Sequence, residues 1–255
     1  MSATPRLYVE ADLVEGGDFA LGGDQAHYLS RVMRLGVGDH VRVFNGRHGE
    51  WDATMRASTK STATLALGSR TREHAGVPDL WLLFAPLKKA RTDFLVEKAV
   101  ELGVAEIRPV LTERTDAETV RVDRFQRLAI EAAEQTERLD VPPIRDAAKL
   151  MTLLSGWDTN RVLLFADEAG DDAERPWGGE AGRARPADEV LRGLPDGPAA
   201  ILIGPEGGFS AAERAQLRKQ AFVRPVSLGP RILRAETAAV AVLALWQAIR
   251  GDWRG

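Results

Sequence analysis

Between Ala200 and Leu245 the chain repeats one local plan: an apolar strand, a glycine-bearing loop, a helix. Ala200-Ile201-Leu202-Ile203 is an apolar run stopped by Gly204-Pro205, which predicts a buried strand. Ser210 and Glu213 stand at capping-box spacing, so a helix is expected from Ser210 through Leu217. The intervening Gly204-Pro205-Glu206-Gly207-Gly208 lets a ligand approach the backbone closely, beside the unpaired N–H groups of a helix start. Val223 to Leu228 predicts the second strand, broken by Gly229-Pro230. Arg231 to Arg234 is the second loop, and the next helix begins near Glu236. Two such loops at the ends of parallel strands predict a ligand crevice at the strands' carboxyl ends.

The rest of the composition narrows the chemistry. With no cysteine, the chain can have no disulfide, thiolate metal ligand or cysteine nucleophile. The four histidines, His27, His40, His48 and His74, all lie in the first third, so acid–base work near the glycine loops falls to carboxylates, arginines or backbone groups. No metal site is expected. A G-x-G-x-x-G fingerprint and a Walker lysine are both absent, since Gly207-Gly208 runs into Phe209-Ser210, which weakens a dehydrogenase or NTPase reading. No apolar run is long enough for a bilayer and the first residues lack a secretory stretch, which predicts a cytoplasmic protein. A net charge of −3 argues against nucleic acid as a whole-chain property. A local basic face can still bind phosphate.

The 255 residues suffice for two domains. Residues 1–73 carry short alternating stretches between glycines and polar turns, as in a small β-barrel. Within them, His27 to Leu35 predicts one short helix with Arg31 and Arg34 together on a face away from Leu29 and Val32. Arg72 to Pro78 reads as a linker, and residues 78–255 as an α/β domain with a parallel sheet. There Leu80 to Ala85 is a continuous apolar strand, followed by Lys88, Lys89 and Arg91, then an amphipathic helix stopped by Gly103 and a strand at Ile107 to Leu111. Val122 to Leu139 predicts a long helix with Glu131, Gln135 and Arg138 on one face. Arg161 to Phe165 is a further buried strand, whose end at Ala166-Asp167-Glu168 would be a third loop of the crevice. Gly170 to Gly197 predicts a mobile surface loop with a short helix from Ala187 to Leu191. The last helix, Thr237 to Arg250, is apolar nearly all round and should be covered on more than one side.

GPEGGFS followed by SLGPRILRAETA resembles the signature of the RsmE family, 16S ribosomal RNA uridine N3-methyltransferases of the SPOUT superfamily. HYLSRVMRLGVGD, KKARTDFLVEKAVELGV and the E-x-x-x-Q-x-x-R pattern from Glu131 to Arg138 extend the resemblance over nearly the whole chain. It implies an α/β fold: a SPOUT-type parallel sheet with a carboxyl-terminal trefoil knot, preceded by a small PUA-like β-barrel that binds RNA. It also implies a homodimer formed through the last helix, no membrane, and a substrate of 16S rRNA within the small ribosomal subunit, near the decoding region. The implied cofactor is S-adenosyl-L-methionine, held by backbone groups of three loops: Phe165 and Ala166; Ile203, Gly204, Pro205, Glu206, Gly207 and Gly208; Leu228, Gly229, Ile232 and Leu233. Phosphate contacts would come from His27, Arg31, Arg34, Lys88, Lys89, Arg91, Gln135 and Arg138.

Methyl transfer needs the acceptor aligned with the methyl group, and uridine N3 must also lose its imide proton. Without a cysteine to add to the pyrimidine ring, transfer should go directly to nitrogen or oxygen. Arg234 is the expected stabiliser of developing negative charge, Glu236 the base or positioner, and Glu206 the next candidate. The rival readings are ribose 2′-O-methylation and a non-catalytic RNA-binding or assembly factor.

Overall fold

The computed structural model describes residues 4–59, 61–116, 119–171, 174–175 and 179–254. Two compact units emerge: Met1–Gly76 with Ile130–Val141, and Val77–Ala129 with Pro142–Gly255.

The first unit is an open half-barrel of five strands, β1 (Arg6–Tyr8), β2 (Asp18–Gly22), β3 (His40–Phe44), β4 (Glu50–Ser58) and β5 (Thr62–Arg72). Their order is β1-β3-β4-β5-β2, with β1 parallel to β3 and the other pairs antiparallel. Alternation decides what faces inward: Val41 and Val43, then Trp51, Ala53 and Met55, then Ala63, Leu65 and Leu67 form the core. Helix α1 (Gly23–His27) runs into a π-type turn at Tyr28–Val32 and adds Ala26 and Leu29 to this core.

The helix therefore starts earlier and stops sooner than the expected His27 to Leu35. Arg34 takes φ 58°, a left-handed conformation, and the N–H of Leu35 returns to the Leu29 carbonyl at 2.9 Å. Arg31 and Arg34 are both exposed, but they do not share a helix face.

Helix α2 (Lys89–Glu101) follows the linker and strand β6 (Leu80–Phe84), and helix α3 (Val122–Gln135) follows strand β7 (Glu106–Leu111). From Ile130 onward α3 belongs to the first unit. There the guanidinium of Arg6 donates to the carbonyls of Ala133 (2.8 Å), Glu134 (3.0 Å) and Arg138 (2.9 Å), and to Glu50 at 2.8 Å. A helix leaves its last carbonyls without partners, so one planar cation closes this end. Tyr8 N–H donates to the Glu134 carboxylate at 2.9 Å. The expected helix to Leu139 thus ends at Gln135, and Glu137 turns the chain with φ 59°. Arg138 lies beyond the helix, nearly buried, with its guanidinium on Asp140 at 2.8 and 3.0 Å, so Glu131, Gln135 and Arg138 form no single helical row.

In the second unit a seven-stranded, all-parallel sheet adds β8 (Ala148–Lys149), β9 (Val162–Ala166), β10 (Arg185–Pro186), β11 (Ala199–Ile203) and β12 (Val223–Ser227), in the order β10-β12-β9-β11-β6-β7-β8. All five residues of β11 are buried, and four of five in β6. Continuous apolar runs are what strands need when both faces are covered. The remaining helices are α4 (Leu150–Ser155), α5 (Ala187–Arg192), α6 (Ala211–Arg218) and α7 (Ala235–Ile249). Part of the expected Gly170 to Gly197 loop is ordered as β10 and α5, while 172–173 and 176–178 fall outside the described residues.

Leaving β12, the chain turns at residues 228–234 and returns as α7 against α2, α5 and β11. Ala238, Ala239, Val242, Leu243 and Trp246 are buried there. Because β9 lies between β11 and β12, the loops that leave these three strands at their carboxyl ends are neighbours.

Candidate functional site

These three loops surround a crevice of about 1000 Å³. The loop after β11 is shaped by its capping box. The Ser210 hydroxyl accepts from Glu213 N–H at 3.1 Å, while the Glu213 carboxylate accepts from Ser210 N–H at 3.0 Å. The other carboxylate oxygen of Glu213 accepts from Glu113 N–H at 2.9 Å. That bond fixes the turn after β7, and Arg114 from this turn donates to the Gly207 carbonyl at 2.9 Å.

Glycine is required at two points of the loop. A Cβ on Gly204 would stand 2.5 Å from the Phe209 ring, and Gly208 has φ 67°. Phe209 itself meets Phe165 edge to face, with centroids 4.9 Å apart. The loop after β12 also turns on a left-handed glycine, Gly229 at φ 102°.

The loop after β9 is held by an ion network that the sequence reading did not foresee. Asp167 is buried and accepts from Arg214 Nε at 2.9 Å and Arg218 Nε at 3.0 Å. Arg214 also donates to the carbonyls of Ala169 (2.7 Å) and Gly170 (3.2 Å), and Arg218 to that of Gly182 (2.9 Å). Glu168 lines the crevice and is half-buried. Burial pushes its carboxyl above the ordinary glutamate range and its neighbour Asp167 adds to this, while its own backbone N–H, Arg214 and Arg183 pull it back down.

Of the residues expected to hold a cofactor, Ala166, Ile203, Gly204, Pro205, Glu206, Gly207, Gly208, Ile232 and Leu233 line the crevice. Phe165 lies fully buried beneath it, and Leu228 and Gly229 belong to the third loop without lining the cavity. Arg234 lines the crevice, is exposed and starts α7 as its N-cap residue. No carboxylate pairs with it among the described residues, Glu236 included.

Arg91 instead lies between two carboxylates, donating to Glu206 at 2.7 Å and standing 3.6 Å from Glu236. The second oxygen of Glu236 is buried with no hydrogen-bond partner. Lys88 and Lys89 are exposed at the start of α2. In the first unit His27, Arg31, Arg34 and Gln135 are exposed, whereas Arg138 is committed to Asp140. The sequence reading placed Glu168 in a crevice loop but missed Arg114, Arg214 and Arg218 as parts of the crevice. Arg214 and Arg218, four apart on a helix whose start was legible, were open to discovery; Arg114 carries no periodic signal.

Comparison with known proteins gives this geometry a context. The RNA methyltransferase domain family matches residues 75–247, and the RNA methyltransferase PUA domain family matches residues 21–67. Ribosomal RNA small subunit methyltransferase E of Rickettsia conorii is 30% identical over 243 residues, covering 94% of this chain and 93% of its own. The Bacillus subtilis protein of the same name is 26% identical over 266 residues, covering 97% and 99%. Among solved structures, Ribosomal RNA small subunit methyltransferase E from Neisseria gonorrhoeae, bound to S-adenosyl methionine, superposes with a TM-score of 0.82 at 26% identity, covering 98% of this chain and 99% of that one. A Legionella pneumophila protein in complex with the same cofactor gives 0.83 at 28% identity, with 98% and 99% covered.

Proposed function

The chain belongs to the RNA methyltransferase family, and from that membership we propose that it methylates N3 of one uridine in 16S rRNA, near the decoding region of the small ribosomal subunit. Its relatives carry the name of a small-subunit rRNA methyltransferase, and two full-length structural neighbours hold S-adenosylmethionine. It is an S-adenosylmethionine-dependent methyltransferase of 16S rRNA; the choice of N3 and of the uridine is our reading. The observation that carries it is the meeting of three strand-end loops in one crevice, with glycine at Gly204 where a Cβ would press on Phe209 and at Gly208 and Gly229 where the backbone is left-handed.

The crevice fits that cofactor. Gly204, Gly207 and Gly208 leave the loop backbone uncovered, and Ile203, Ile232, Leu233 and Ala238 supply apolar walls. When bound, S-adenosylmethionine supplies an electrophilic methyl group on sulfur. The protein must then orient the acceptor and manage a proton. Loss of the imide proton puts negative charge on the uracil oxygens, and Arg234 and Arg114 are two crevice guanidiniums with no carboxylate partner among the described residues. Glu206 in the loop after β11 and Glu236 in the first turn of α7, bridged by Arg91, are the two carboxylates assigned to take the N3 proton.

In this reading Lys88 and Lys89 meet RNA phosphate beside the crevice. His27, Arg31, Arg34 and Gln135 do so from the half-barrel, which is the RNA-binding domain. The residues of α7 turned from its core, Val240, Ala241, Ala244, Leu245 and Ile249, are apolar and only partly exposed, which supports a homodimer through this helix. The return of α7 from β12 to β11 is the path along which we expect the trefoil knot. No described helix is long and apolar enough to cross a membrane, and among the described residues no cluster of acidic or histidine side chains could hold a metal. Work on small subunits would place the protein in the cytoplasm.

The test is transfer of labelled methyl from S-adenosylmethionine to small subunits lacking the modification, followed by nucleoside analysis. N3-methyluridine is the expected product. A 2′-O-methylated nucleoside would sink the N3 assignment while keeping the enzyme class.

A further inference from the structure

The loop after β9 brings its acidic groups to the crevice in unequal states. Asp167 is neutralised by both Arg214 and Arg218. Asp171 stands 3.3 Å from Arg218 and 3.5 Å from Arg214. Glu168, between them, has no ion pair among the described residues, although its side chain lines the cavity. Of the arginines whose charge reaches it, Arg214 is occupied with Asp167 and the carbonyls of Ala169 and Gly170, and Arg183 donates to the carbonyl of Gly179. A carboxylate taken out of water without a counter-charge costs the fold, and such groups gather where a ligand will supply the missing donors.

We infer that Glu168 binds the cofactor, its carboxylate accepting hydrogen bonds from donors that S-adenosylmethionine itself brings, either the ribose hydroxyls or the α-ammonium group. This rests on the methyltransferase reading above. An acidic residue at a strand end receiving ribose hydroxyls is a recurring solution in α/β nucleotide sites. The loop geometry serves it: Arg214 and Arg218 hold the Asp167 carboxylate before Glu168, and Arg214 holds the carbonyls of Ala169 and Gly170 after it, without consuming the Glu168 side chain.

The sign of the pH dependence follows. In the free protein burial raises the Glu168 pKa, with Asp167 on its own loop adding and Arg214 from α6 and Arg183 opposing. Ligand donors favour the charged form. Affinity is therefore full above the raised pKa and declines as pH falls through it.

The experiment is calorimetric titration of the full chain and of Glu168→Gln with S-adenosylhomocysteine and with 5′-methylthioadenosine, which lacks the amino-acid end. Titrations run from about pH 8 down to about pH 5. Glutamine keeps the shape and discards the desolvated charge, so melting should hold or rise. The variant should bind S-adenosylhomocysteine roughly ten- to hundredfold more weakly at the upper pH, and its affinity should be flatter with pH than the wild type's. The same loss with methylthioadenosine assigns the ribose, and loss with S-adenosylhomocysteine alone assigns the ammonium. Equal affinity and equal pH profile in both proteins overturn the inference. So does a wild-type affinity that stays flat with pH for both ligands, whatever the variant does. Wild-type protein that binds neither ligand at any pH would instead overturn the methyltransferase reading on which the inference stands.

Discussion

Arg234 and Glu236, two residues apart, were given separate parts in the chemistry, and the structure keeps them apart: Glu236 faces Arg91 and Arg234 faces the crevice. That separation makes their roles testable one at a time. Arg234→Ala should lower methyl transfer roughly 10²- to 10³-fold, the usual loss when one stabiliser of developing negative charge is removed. Affinity for S-adenosylhomocysteine should be nearly unchanged, and a parallel collapse of both would deny the arginine its assigned part.

A second residue-scale prediction concerns Glu134. Its carboxyl is raised above the ordinary range chiefly by burial, against the pull of the Tyr8 N–H and of Arg6. A raised folded-state pKa means the native protein binds this proton more tightly than the unfolded chain does. Acidification into that window therefore favours the fold at this site, and the benefit is lost as pH rises through the raised value. Glu134→Gln, which can still accept from Tyr8, should raise the melting temperature more at neutral pH than near pH 5, measured by calorimetry. Which glycines and carboxylates would gather was legible from GPEGG and LGPR, because backbone shape there depends on local chemistry. Which arginine would face which carboxylate was not, since Arg91 meets Glu206 and Arg214 meets Asp167 from 115 and 47 positions away in sequence.

At the scale of the element, the capping box shows how far local rules reach. Ser210 and Glu213 fixed the start of α6 from spacing alone, and the structure makes both reciprocal bonds. Ser210→Ala should cost about 1 kcal/mol of stability by chemical denaturation. Glu213→Ala should cost more, because it also frees Glu113 and the turn that aims Arg114. Gly204→Ala tests the cradle: its methyl would press on Phe209, and overpacking of this kind costs about 1–3 kcal/mol. Local rules failed where tertiary partners set the ends. Helix α3 stops at Gln135, where Arg6, far upstream, takes the carbonyls of Ala133 and Glu134. Helix α1 begins at Gly23, four residues before the apolar spacing suggested.

At the scale of the molecule, net charge and local charge part company. The chain carries −3 overall, yet exposed His27, Arg31 and Arg34 occur together in one turn of the half-barrel and its exit. If that turn meets rRNA phosphate, Arg31→Ala should weaken RNA binding and reduce the salt slope by about 1, leaving S-adenosylhomocysteine affinity intact. The two kinds of sheet were legible in outline because alternating strands and continuously apolar strands bury different faces. The unit boundaries were harder to read, since one crosses the middle of a helix.

That crossing bears on how the protein is made. The half-barrel is encoded first, but Ile130–Val141, which its Arg6 and Tyr8 bind, is synthesised only after much of the sheet unit's opening βαβ segment. A ribosome that has released only Met1–Gly76 holds a β-sheet whose Arg6 guanidinium still lacks the carbonyls of Ala133, Glu134 and Arg138. Domains generally fold in order of emergence. Here the first unit gains its last partners, residues 133–138, only after the opening segment of the second has been synthesised.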